Sequence, residues 1–183
     1  MTERIRTQRL VLAHPAADTG AALLDYRVLN QDHLRLWEPL RADSYYTIDA
    51  VELQLCQLRD QVTAGSAVHW LLATHDNPEL IGLCSFTNIV RGPFQACHLG
   101  FSLAQRQQGK GYMAEALQAA IAHAFQTLEL HRIMANYQPA NVRSAALLQR
   151  LGFEREGLAR RYLKINGHWA DHVLTSLINP HDD

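Results

Sequence analysis

QRQQGKGYMAE, residues 105–115, is a glycine-rich turn set between two regular segments. Before it, ACHLGFSL (residues 96–103) alternates as a strand does, with Cys97, Leu99, Phe101 and Leu103 on one face and Ala96, His98, Gly100 and Ser102 on the other. After it, YMAEALQAAIAHAFQTL (residues 112–128) has the spacing of an amphipathic helix, with Leu117, Ile121, Ala124, Phe125 and Leu128 as its core face. A helix start presents unpaired N–H groups and partial positive charge, and is therefore an anion site. Glycines let a phosphate approach the backbone with no Cβ in the way. Arg106 and Lys110 stand ready to add charge. A P-loop needs four residues between its glycines and a Ser or Thr after the Lys, and the dinucleotide fingerprint needs G-x-G-x-x-G; this turn has neither.

Outward from the turn, the chain reads as strand 9–14, helix 16–36, helix 48–64, strands 67–74, 80–88 and 96–103, helix 112–128, strand 131–138, a short helix from Asn141 closing at Gly152, and strands 153–165 and 168–178. The last two flank Asn166-Gly167, a strong hairpin dipeptide. This order predicts an α/β (α+β) fold: a mixed, mostly antiparallel sheet with helices on both faces, forming one three-layer domain over residues 1–183.

Composition agrees. Forty-eight percent of residues are apolar and 19% charged, which suits a folded globular chain, and a net charge of −1 gives no overall nucleic-acid footprint and no polybasic membrane segment. The start MTERIRTQRLVLAHP lacks a signal-peptide pattern, and no apolar run reaches membrane-spanning length. Cys56, Cys84 and Cys97 are odd in number and widely spaced, which suits buried thiols in a reducing cytoplasm.

The sequence also carries Asn141-x-x-Ser144, Leu147-Leu148, Leu151-Gly152-Phe153, Glu156-Gly157, Arg9-Leu10, Trp37-Glu38-Pro39, Asn88-Ile89-Val90-Arg91-Gly92 and Gly167-x-Trp169-x-Asp171-His172. With Arg106-x-x-Gly109-x-Gly111 between strand and helix, this set resembles the GCN5-related N-acetyltransferase (GNAT) superfamily, and within it the ribosomal-protein-alanine N-acetyltransferase (RimJ/RimL-type) branch.

The resemblance implies an acetyl-CoA-dependent N-acetyltransferase acting on the N-terminal alanine of a ribosomal protein, with association with the ribosome as a further implication. It places the coenzyme on Phe101, Ser102 and Leu103 at the strand end, on Arg106, Gln107, Gln108, Gly109, Lys110, Gly111 and Tyr112 in the turn, and on Asn141 and Ser144. Many members have a Tyr acid where this chain has Leu148; Ser144 is the substitute the Rim type implies. Asn141 as N-cap with Ser144 at N3 reads equally as helix capping. For the base, His98 is the titratable group on the cleft side of its strand, where relatives carry an acid, and a hydrogen-bonded structural histidine is the competing reading. Glu38 and Asp171 stand in reserve, with the Trp37-Glu38 loop expected to close over the acceptor.

Glu115 in the first helical turn is read as complementing the helix dipole. His168 and His172 fall on a strand, so no metal is expected. Cys97 on the core face argues for direct transfer without an acetyl-enzyme. Two other readings remain open at this point: the same fold acetylating a polyamine or aminoglycoside, and a ribosome-associated binding or assembly factor that keeps the coenzyme site.

Overall fold

The computed structural model describes residues 4–182. Its eight strands form one sheet in the order β1-β2-β3-β4-β5-β6-β8-β7: β1 Arg4–Arg6, β2 Leu10–Ala13, β3 Val68–Thr74, β4 Gly82–Val90, β5 Ala96–Leu103, β6 Arg132–Tyr137, β7 Glu154–Ile165 and β8 His168–Ile178. The helices are α1 Gly20–Leu34, α2 Ile48–Thr63, α3 Tyr112–Gln126 and α4 Val142–Arg150. The expected mixed sheet is present, and β5–β6 is its one parallel pair. The sequence reading missed β1, a three-residue strand too short to show alternation. The helix expected over 16–36 begins as a 3-10 turn at Ala17–Thr19 and becomes α-helical at Gly20.

Two cores lie on opposite faces of the sheet. In β3, Trp70 and Leu72 join Leu117, Ile121 and Ala124 of α3 and Leu148 of α4, while the intervening Leu71 joins Leu23 and Tyr26 of α1 and Val51 and Leu55 of α2. Alternate residues of one strand thus carry separate helical layers.

The parallel pair decides where the site lies. β5 and β6 pair only at Ala96↔Arg132, Cys97↔Ile133 and His98↔Met134. Beyond that point Leu99–Leu103 pairs with β4 alone and Ala135–Tyr137 with β8 alone. The two strands part, and the turn leading to α3 sits at the mouth of the opening. At the far end of the sheet, Asn166 and Gly167 both take positive φ, as a tight hairpin requires. Asn166 N donates to Glu38 O at 2.9 Å, so this hairpin anchors the loop that follows α1.

Candidate active site

The turn is built for an anion. Gly109 has φ +75° and Gly111 φ +80°, backbone conformations that carry steric cost for any residue with a Cβ. A Cβ added at Gly109 would meet nothing within 4 Å, so the glycine faces open space. Gly111 is the N-cap of α3 and has no side chain to occupy the first amides of that helix. They stay available to an outside acceptor.

A cleft of about 660 Å³ opens beside the turn. Of the residues expected to bind the coenzyme, Phe101, Ser102 and Leu103 line it from β5, and Gln108, Gly109, Gly111 and Tyr112 from the turn. Asn141 and Ser144 line it from the start of α4. Arg106, Gln107 and Lys110 do not. Arg106 is ion-paired with Glu79, and Lys110 Nζ donates to Gln107 Oε1 at 2.8 Å. The capping reading of Asn141 holds: its Oδ1 accepts from Ser144 N at 3.1 Å. That bond uses the Ser144 backbone, so the cap does not engage the hydroxyl of this cleft-lining residue.

Glu115 has a larger part than the helix dipole. Its carboxylate accepts from Thr7 Oγ1 at 2.6 Å, Arg9 N at 2.7 Å and Arg9 Nε at 2.6 Å. Burial raises its pKa, but these bonds outweigh burial and hold it below the ordinary carboxylate value. Arg9 in turn donates to Lys110 O at 2.9 Å and stacks over Tyr112. The β2 end is thereby pinned to the anion turn.

The candidate bases separate. Glu38 lines the cleft and, among the described residues, is the one carboxylate that does. It also lines a second cavity of about 180 Å³ between β3–β4 and the first two helices. Burial pushes its pKa up, and Arg41 and Arg27 oppose that only in part. His98 lines neither cavity; its Nδ1 is buried without a hydrogen bond, and burial lowers its pKa. Asp171 accepts from Arg161 N at 2.8 Å, which ties it to the bulge of the last hairpin. Burial pushes the Cys97 thiol up to about 12, far from a thiolate.

Sequence reasoning missed several polar groups here. Arg27 is buried, stacks on Tyr45 and bonds Gln54. His69 Nδ1 lies 2.8 Å from Ser85 Oγ at the wall of the second cavity. His33 and Arg143 reach the cleft from α1 and α4. Residue type alone gave no signal for any of them.

The sequence profile of the acetyltransferase (GNAT) domain matches residues 9–154, most of the chain and every residue that lines the cleft. The chain belongs to the GNAT acetyltransferase family. Acetyl-CoA is the acetyl donor of GNAT enzymes, and the open glycine at 109, the uncapped α3 start and the parted strands fit its phosphates and its pantetheine arm.

The chain is 46% identical over 177 residues to the [ribosomal protein uS5]-alanine N-acetyltransferase of Escherichia coli strain K12, covering 97% of this chain and 91% of that one. A probable N-acetyltransferase of Bacillus subtilis is 35% identical over 84% of this chain and 85% of its own. Among solved structures, the ribosomal-protein-S5-alanine acetyltransferase of Vibrio fischeri superposes with a TM-score of 0.94 at 36% identity, covering 99% of both chains. RimJ of Mycobacterium smegmatis, solved in complex with CoA-disulfide, gives 0.89 at 27% identity, over 97% of this chain and 86% of that one.

Proposed function

We propose that this acetyltransferase modifies the N-terminal alanine of a ribosomal protein in the cytoplasm, by direct transfer with Glu38 as base. The observation that carries the reading is the position of Glu38, among the described residues the sole carboxylate of the cleft and a group it shares with the second cavity. The 46% identity to the uS5-alanine enzyme supports the choice of acceptor.

An α-amine has a pKa of about 7.7–8.0, roughly two and a half units below a lysine amine. A carboxylate whose pKa is raised by burial is a better base than an ordinary one. Acetyl-CoA supplies an acetyl thioester. As the amine nitrogen bonds to the carbonyl carbon and the carbon–sulfur bond breaks, Glu38 takes the proton the amine loses. Ser144, fixed on the capped start of α4, donates its hydroxyl proton toward the leaving sulfur and is reprotonated from solvent. The loop carrying Glu38 is held by Asn166 and by Gln138, whose Nε2 donates to Leu36 O at 3.3 Å, so the base sits on a tied segment.

The test is a single-turnover assay with acetyl-CoA on three acceptors: a peptide with a free N-terminal alanine and blocked lysines, one with a blocked terminus and a free lysine, and spermidine. Transfer to the first and little to the others is expected. Equal rates on the lysine peptide, or faster transfer to spermidine, would overturn the N-terminal assignment.

A further inference from the structure

Gln108, in the turn, joins the two walls of the coenzyme cleft through its side chain. Its Nε2 lies 2.8 Å from His33 Nε2 at the end of α1, and its Oε1 accepts from Arg143 in the first turn of α4. His33 also hydrogen-bonds the backbone of Leu103, so the network reaches the end of β5. Burial, and after it the charge of Arg143, holds His33 below the ordinary histidine value, and its Nε2 accepts from the Gln108 amide.

Arg143 differs from the other cations around the turn. Arg9 is paired with Glu115, Arg106 with Glu79, and Lys110 is bonded to Gln107. Arg143 lines the cleft, and among the described residues its hydrogen-bond partner is a neutral amide. Its place in the helix is also unfavourable by itself. It is the second residue of α4, whose first turn has no acidic residue, and a cation there opposes the helix dipole. An anion in the cleft would resolve both.

We propose that Arg143 binds the phosphates of the coenzyme and that Gln108 holds it, together with His33, across the cleft until that anion arrives. The inference rests on the reading that the cleft takes acetyl-CoA. Anion binding exchanges the neutral Gln108 carbonyl for a phosphate oxygen at the Arg143 guanidinium, so that the hydrogen bond becomes an ion pair as well. The turn amides and Arg143 then grip the phosphates from two sides, and α4 is drawn to the turn with Asn141 and Ser144 on it.

Calorimetry with CoA and with pantetheine, which lacks every phosphate, tests this on the full chain. Arg143→Gln is expected to weaken CoA binding by roughly tenfold to a hundredfold, to leave pantetheine binding unchanged and to flatten the salt dependence of CoA binding. Arg143→Lys, which keeps the charge, is expected to recover part of the loss. Gln108→Ala keeps the turn amide but removes the side-chain carbonyl that competes with the anion for Arg143, and is expected to bind CoA more tightly than the unmodified protein. Unchanged CoA affinity in Arg143→Gln, or an equal loss with pantetheine, would overturn the phosphate role. Unchanged or weaker CoA binding in Gln108→Ala would overturn the holding role. Absence of CoA binding to the unmodified protein would sink the coenzyme site itself, and this inference with it.

Discussion

Arg9 Nε lies 2.6 Å from Glu115 Oε2, joining the second strand to the first turn of the helix that follows the glycine turn. The same arginine donates to Lys110 O and stacks on Tyr112, so the ion pair braces the anion site from behind. Its partly exposed position limits its worth to global stability. Its effect should appear in coenzyme binding. Glu115→Ala is expected to raise the Kd for CoA severalfold while moving the melting temperature little, read by calorimetry beside a thermal melt.

Gly111→Val is expected to abolish CoA binding in a folded protein. The backbone there has φ +80°, and a Cβ would come within 3.3 Å of Arg9 Nη2. Gly109→Ala faces open space, so only the backbone conformation is penalised, by about 1–2 kcal/mol. Denaturation midpoints and CoA titrations on the two variants should therefore differ: stability falls modestly at 109, and binding is lost at 111.

Ser144→Ala separates catalysis from capping, because the cap bond uses the Ser144 backbone. A fall in kcat of about tenfold is expected with an unchanged melting temperature and unchanged CoA affinity. Asn141→Ala removes the cap acceptor and should cost about 1 kcal/mol of stability. Full turnover in Ser144→Ala would leave the hydroxyl no part in the chemistry.

For Glu38, burial raises the pKa, so its base form fills in above the ordinary carboxylate range as pH rises. The profile of kcat/KM on an alanine-starting peptide should show a limb from Glu38 and a second near pH 8 from the α-amine itself. Glu38→Gln is expected to lose the lower limb and to fall about a hundredfold at neutral pH. His98→Gln should leave the profile unchanged.

His69 gives a stability prediction. Burial, and after it the charge of His14, lowers its pKa to about 4. The unfolded chain, titrating at about 6.5, binds the proton more readily, so the contribution of His69 is full above pH 6.5 and is lost as pH falls toward 4. The effect is up to ~3 kcal/mol. Melting curves from pH 7.5 to 4.5 should show a steeper decline in the unmodified protein than in His69→Gln.

The sequence by itself determined the element order, the glycine turn, the Asn141 cap and the last hairpin. Each is encoded within a few neighbouring residues: alternation in 96–103, helical spacing in 112–128, a capping residue three before Ser144, and Asn166-Gly167 between two strands. Tertiary structure alone decided which candidates stand together. Arg106 was read as a phosphate cation, but Glu79, twenty-seven residues away, takes its charge. The pattern around Glu115 speaks only of its own helix, yet its partners Thr7 and Arg9 lie between β1 and β2, more than a hundred residues earlier. Strand alternation makes His98 a candidate base and resemblance makes Glu38 one; the parting of β5 from β6 and the tethering of Glu38 to Asn166 put Glu38 in the cleft and leave His98 outside its lining. Charge pairing and desolvation depend on what the rest of the chain brings near a group. Local pattern therefore specified the framework, and long-range contacts selected the chemistry.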